Sequence, residues 1–208
     1  MATRKRAASK AVSRRGGRAL PGAGDGFVHT LKVSLQGVRP PIWRRILVPS
    51  DFTLAQLHDV LQEAMGWTNS HLHQFEVGDM LYSDPTFELE EVDLDMEDES
   101  SITVAEALPR QGSWAVYEYD FGDGWKHLLL VEKVGPPEPD LLAPVCLKGA
   151  RACPPEDCGG PSGYAQLLEA LREPKQARHR ELLEWLGSEF DPEPFDLESV
   201  NRALRGLR

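Results

Sequence analysis

The order of the periodic segments constrains the fold most. Trp114-Ala-Val-Tyr-Glu-Tyr119 and Trp125-Lys-His-Leu-Leu-Leu-Val-Glu-Lys133 show the alternation of strands. Between them, Asp120-Phe-Gly-Asp-Gly124 offers residues that tolerate positive φ, which predicts a hairpin. Upstream, strand patterns run over 27–35, over 42–48 beyond the turn at 37–41, over 71–77 and, past Gly78-Asp79, over 80–82. One helix interrupts them. Thr53 and Gln56 match a capping box, Leu54, Leu57, Val60, Leu61, Ala64 and Met65 recur at helical spacing, and Gly66 stops the run. Residues 103–108 add a helical turn or two. The last third is helical: Tyr164 to Leu171, then Leu182, Leu183 and Leu186 before Gly187, then Leu197 to Leu204 capped by Asp196. Strands first and helices last predict α+β with a mostly antiparallel sheet, followed by a C-terminal helical segment, rather than a doubly wound α/β sheet.

Charge divides the chain. Residues 1–20 carry seven basic side chains and no acidic one; removing those seven from the 23 Lys and Arg leaves 16 against 33 acidic residues, a balance of −17 for the rest. Residues 1–26 are therefore expected to form a disordered basic tail, with one domain over 27–208. A body so acidic repels the nucleic-acid backbone, so DNA contact is expected only through the tail, and a protein or peptide of basic character is the better partner. No apolar run approaches the ~18 residues that span a bilayer, and the N-terminus lacks a secretory apolar core. With an odd number of cysteines, the expected location is a reducing cytoplasm.

The three cysteines cluster in Cys146-Leu-Lys-Gly-Ala-Arg-Ala-Cys153-Pro-Pro-Glu-Asp-Cys158. Zinc favours thiolate and imidazole, so Cys146, Cys153 and Cys158 could bind it, with a fourth ligand from His127 or the His71/His73 pair. Two alternatives stay open: a redox pair, which Glu156 and Asp157 oppose, and small hydrophobes packed under the Pro-Pro turn. A second constellation joins the histidines to Asp120, Asp123 and His127, the candidate catalytic groups, which suit acid–base chemistry or carboxylate-oriented metal ligation. They could equally cap a turn and fill a sheet face. Trp43, Arg44, His71, His73 and Trp125 are the candidate binding residues, and His58 is expected to be a satisfied, half-buried histidine. The acidic stretch 84–101 mimics a calcium loop at Asp93, Asp95 and Glu97. However, Asp98 stands where such a loop needs Gly, and Val104 where it needs Glu, so a solvated loop is expected.

Five segments together carry a resemblance. They are Gly37-Val-Arg-Pro-Pro-Ile-Trp-Arg-Arg45, Leu57-His-Asp-Val-Leu-Gln-Glu-Ala-Met-Gly-Trp67, His71-Leu-His-Gln-Phe75, Tyr119-Asp-Phe-Gly-Asp-Gly-Trp-Lys-His127 and Ala152-Cys-Pro-Pro-Glu-Asp-Cys-Gly-Gly-Pro161. In this order the chain, from about Phe27 onward, resembles the plasmid pRiA4b ORF-3-like family, often labelled insertion-element passenger or TnpR family proteins. The resemblance implies a bacterial α+β domain of no established role. The resolvase label does not transfer, because no nucleophilic serine sits among clustered arginines. The expected function is a cytoplasmic binding or accessory module associated with plasmid or mobile-element genes, with zinc as the possible cofactor of the cysteine loop. The alternative is a metal-dependent hydrolase or nuclease using the His and Asp cluster.

Overall fold

The computed structural model describes residues 26–86, 96–136, 143–173, 181, 184–187 and 190–207. The basic tail, the acidic residues of 87–95 and the Leu182-Leu183 pair lie outside the described residues. Eight strands form one sheet: β1 (Val28–Leu35), β2 (Trp43–Pro49), β3 (His73–Val77), β4 (Met80–Ser83), β5 (Met96–Asp98), β6 (Trp114–Tyr119), β7 (Trp125–Gly135) and β8 (Val145–Ala150). Their order is β5-β4-β3-β6-β7-β1-β2-β8, antiparallel throughout except for β4–β5. Among the described residues, it is joined by α1 (Leu54–Met65), α2 (Val104–Ala107), α3 (Gly160–Arg172) and α4 (Leu197–Leu204). The architecture is α+β.

The hairpin β6–β7 lies beside the β1–β2 pair, and the long register of β1 on β7 sets Leu31 opposite Val131 and Val33 opposite Leu129, all buried. On this face α1 lays down Leu54, Leu57 and Leu61. Each such side chain contributes about 1.5–3 kcal/mol when taken from water. The capping box at the head of α1 forms: the Thr53 N–H donates to Gln56 Oε1 at 3.0 Å and the Gln56 N–H to Thr53 Oγ1 at 3.2 Å. At its foot Gly66 takes φ 90°, which a side chain would resist. Tyr164, Leu167 and Leu168 bring α3 onto the same core.

Two strands escape the sequence pattern. Short β5 lies at one edge of the sheet and β8 at the other, so Cys146 sits in a strand and not in a Pro/Gly loop. Gly149 breaks the β-pattern for a packing reason: a Cβ there would come within 2.5 Å of Phe195 and 2.9 Å of Arg44. The open edge of β8 is covered by α4. Asn201 Oδ1 accepts the Cys146 N–H at 2.7 Å, and its Nδ2 donates to the Cys146 carbonyl at 2.9 Å, a side chain doing the work of a ninth strand. A further correction concerns His71. β3 begins at His73, so His71 belongs to the loop that enters the strand and does not share its face.

Candidate functional site

Three loops meet at the end of the sheet where β6 turns into β7: residues 66–72 after α1, the hairpin tip 120–124, and 151–159 before α3. The Trp67 indole N–H donates to the Pro154 carbonyl at 3.0 Å and its ring stacks on Tyr119, 5.0 Å between centroids. At the hairpin tip, Asp123 Oδ2 accepts the Gly159 N–H at 3.1 Å, and a Cβ on Gly160 would collide with the Asp123 carbonyl. Asp123 is therefore spent on docking the third loop.

Asp120 is divided between two tasks. Its Oδ1 accepts the N–H groups of Gly122 (3.0 Å) and Asp123 (3.2 Å), while its Oδ2 faces His71 Nε2 at 3.7 Å. The same nitrogen lies 3.2 Å from Asp157 Oδ1 and 3.8 Å from Glu156 Oε2. Glu156 is held by its other oxygen, which accepts from the Thr68 N–H at 2.9 Å, the Thr68 hydroxyl at 3.2 Å and the Tyr119 hydroxyl at 3.2 Å. Burial, with Glu156 beside it, pushes the Tyr119 phenol up to about 12, so it remains a neutral donor. His71 Nε2 and Glu156 Oε2 are both buried and have no hydrogen-bond partner. Asn69, Asp120 and Asp157 all adopt left-handed backbone at φ 54–57°, a region Asn and Asp enter more readily than most residues.

One imidazole thus confronts three carboxylates. Among the described residues, His71, Asp120 and Asp157 are the one group of three or more such side chains whose ligand atoms fall within 4.8 Å of one another. One nitrogen with carboxylate oxygens suits a borderline or hard divalent cation such as zinc or manganese. A cation would also offset the crowded negative charge.

Cys146, Cys153, Cys158 and His127 are not brought together as a ligand set. All three thiols are free, and burial pushes all three upward, Cys158 to about 12, so they carry their protons at neutral pH. Cys153 and Cys158 pack half-buried against the core. His127 is fully buried, its Nδ1–H directed at the Tyr117 carbonyl (3.3 Å) and its ring edge-on to Trp67, and burial lowers its pKa to about 4. Trp125 is fully buried as well. Arg44 is interior: it donates to the carbonyls of Ala64 (2.8 Å), Trp43 (2.9 Å) and Ala150 (3.0 Å), with its guanidinium 4.0 Å from the Phe195 ring centroid. Trp43 is half-buried, with Lys32 and Arg45 over its ring.

Beside the carboxylate group, and sharing His71 as a wall, lies a cleft of about 550 Å³. His58 and His73 stack on one side of it, centroids 3.5 Å apart and planes within 7°. His58 belongs to a closed ring of hydrogen bonds. Gln62 Nε2 donates to the Tyr117 hydroxyl (2.9 Å), which donates to His58 Nδ1 (2.8 Å); His58 Nε2–H donates to Asn69 Oδ1 (2.9 Å), and the Asn69 N–H returns to Gln62 Oε1 (2.9 Å). Burial, with His73 stacked beside it, lowers the His58 pKa to about 4, so the ring has a neutral imidazole. His73 Nε2 meets Glu99 Oε2 at 2.9 Å, both side chains buried. Sequence reasoning singled out His71 and Asp120 but not Glu156 and Asp157 as site groups. The signal for them was the set of recognisable segments 57–67, 71–75, 119–127 and 152–161, all of which run into this end of the sheet.

Residues 28–199 match the family described as plasmid pRiA4b ORF-3-like protein. The chain is 40% identical over 182 residues to the uncharacterized protein y4hQ of Sinorhizobium fredii (strain NBRC 101917 / NGR234), covering 86% of this chain and 92% of that protein. It is also similar to the crystal structure of a protein of unknown function, MM3350, from Methanosarcina mazei Go1. There the TM-score is 0.73 at 36% identity, over 83% of this chain and 96% of that one.

Proposed function

The chain belongs to the plasmid pRiA4b ORF-3-like family, and we propose that this member is a metal-dependent hydrolase whose ion is held by His71, Asp120 and Asp157. The observation that carries the reading is the convergence of those three ligand atoms, with the buried His71 Nε2 and, beside the group, the buried Glu156 Oε2 both lacking a hydrogen-bond partner. When bound, a divalent cation supplies Lewis acidity, polarising a carbonyl or phosphoryl oxygen. Glu156 is the base: Oε1 is fixed by Thr68 and Tyr119, which leaves Oε2 to take a proton from the attacking water. The water oxygen bonds the electrophilic atom, and the leaving group departs with a proton. The nuclease form of this reading is set aside, because a body at −17 repels a polyanion.

A second reading, an accessory module for a basic protein or peptide, is favoured by that same acidic body. A link to plasmid genes is supported by the family's name alone. No helix among the described residues is long and apolar enough to cross a membrane, and three free thiols fit the reducing cytoplasm we propose as location.

The test is metal analysis of protein purified without chelators, then calorimetric titration with Zn²⁺ and Mn²⁺ and hydrolysis assays on p-nitrophenyl acetate, p-nitrophenyl phosphate and a chromogenic peptide amide. The expected result is one ion per chain and metal-dependent turnover, both lost in Asp157→Asn. Absence of ion binding overturns the metal centre. An ion without turnover overturns the hydrolase and leaves the accessory module.

A further inference from the structure

We propose that the cleft beside the carboxylate group binds a small organic cation, an amine or guanidinium compound, which as the substrate class of the hydrolase rests on the reading above. The cleft has a volume of about 550 Å³, suited to a small molecule and not to a polymer. Its charge is one-sided. Among the described residues, Asp59, Asp84 and Glu99 line it and no Lys or Arg does. His58 is neutral, and the two other imidazoles of the lining are outnumbered by its three carboxylates.

The walls are already in place. Both ring nitrogens of His58 are engaged, His73 is stacked on it and bonded to Glu99, and the Ser83 hydroxyl donates to the His73 carbonyl at 2.6 Å. A ligand therefore meets Glu99 as a fixed acceptor on a wall that is already ordered, which favours affinity. Partial desolvation and then repulsion from Glu99 raise the pKa of Asp59.

A monatomic ion does not fit this cleft. No three of its imidazole and carboxylate ligand atoms come within 4.8 Å of one another; among the described residues that condition is met at His71, Asp120 and Asp157 alone. Carboxylates spaced around a cavity instead suit a ligand that spreads its positive charge or carries it at the end of a short chain, reaching each in turn. His71 joins the two sites, since one edge lines the cleft while Nε2 faces the carboxylate group. A cation seated in the cleft would therefore present its adjoining bond to the proposed ion.

The experiment uses the full chain, metal-free and metal-loaded, titrated by calorimetry and thermal shift with 1,4-diaminobutane, butylguanidinium, butyrate and 1,4-butanediol. The two cations should bind saturably to metal-free protein. The anion and the diol should not. In the Asp59→Asn/Asp84→Asn variant, whose changes lie on exposed or half-buried positions, affinity should fall at least tenfold; Glu99→Gln serves as the second variant. Asp157→Asn should keep cation affinity within twofold while losing the metal. Cation binding without any metal site would support the cleft and remove the hydrolase. A metal site without cation binding would do the reverse. Preference for butyrate, or cation binding unchanged in the double variant and in Glu99→Gln, overturns the inference.

Discussion

Arg44 and His71 show two ways of placing a polar group inside a protein. Arg44 is 2% exposed and carries a full charge, yet its donors reach three carbonyls, one of them that of Ala64 near the end of α1, and its plane lies against Phe195. Its accounts close within the fold. His29 is similar, with Nδ1 accepting from Ser50 and Nε2–H donating to Leu108. His71 is less buried, but its Nε2 is surrounded by carboxylates and bonds to none. A satisfied buried group is architecture; an unsatisfied one amid crowded carboxylates is arranged for something else. The missing partner is not enough on its own, since His127 Nε2 also lacks one, but the rings around His127 are those of Trp67 and Tyr117.

The largest effect is expected from acid, which tests the satisfied interior. His58 and His127 fall from 6.5 to about 4 on folding, so the unfolded chain accepts protons at a pH where the folded chain still refuses them. The contribution of these two histidines to stability is then flat above about pH 6.5, drops as the pH falls towards about 4, and levels below. Each histidine contributes on the order of 3 kcal/mol at full extent. Urea denaturation at pH 7.5, 5.5 and 4.5 should show the decline, and a flat profile would contradict the neutral interior. Next is Arg44→Ala, which takes a donor from three carbonyls and leaves a cavity under Phe195. The expected loss is about 3–5 kcal/mol, with ion affinity per folded molecule unchanged. A smaller effect is expected from Tyr117→Phe, which deprives both His58 Nδ1 and Gln62 Nε2 of the shared hydroxyl. That change should cost about 1–3 kcal/mol in the same denaturation experiment.

Local chemistry was legible in the sequence and distant convergence was not. The 114–133 hairpin, the Thr53–Gln56 cap and the Gly66 stop each depend on a few neighbouring residues, and each forms. Strand β8 was hidden because Gly149 serves Phe195, a residue of the C-terminal segment, and not the strand it sits in. The pairing of β1 with β7 joins residues about a hundred apart, and no spacing announces it. The site followed the same rule. His71 and Asp120 could be picked out as chemistry-bearing residues, but Glu156 and Asp157 read as acidic neighbours of cysteines. Only the docking of the third loop through Trp67–Pro154 and Asp123–Gly159 turns them towards His71.

The smallest effect on stability is expected from Asp157→Asn, and it discriminates best. Asp157 is exposed, its side chain at 69%, and its backbone is left-handed at φ 55°, a conformation Asn also accepts. The change removes one of three carboxylates crowded around a single imidazole, so in metal-free protein stability should move by less than about 0.5 kcal/mol, towards greater stability if at all. The metal-loaded proteins should differ. At an ion concentration of about 100 times Kd, binding to the native state adds about 2.7 kcal/mol, seen as a raised melting temperature, and the variant should lose most of that gain. Arg44→Ala makes the opposite pattern, lowering both melting curves while preserving the interval between them. If Asp157→Asn lowers the metal-free curve and leaves the interval intact, then Asp157 is architecture like Arg44, and the distinction between the two regions fails.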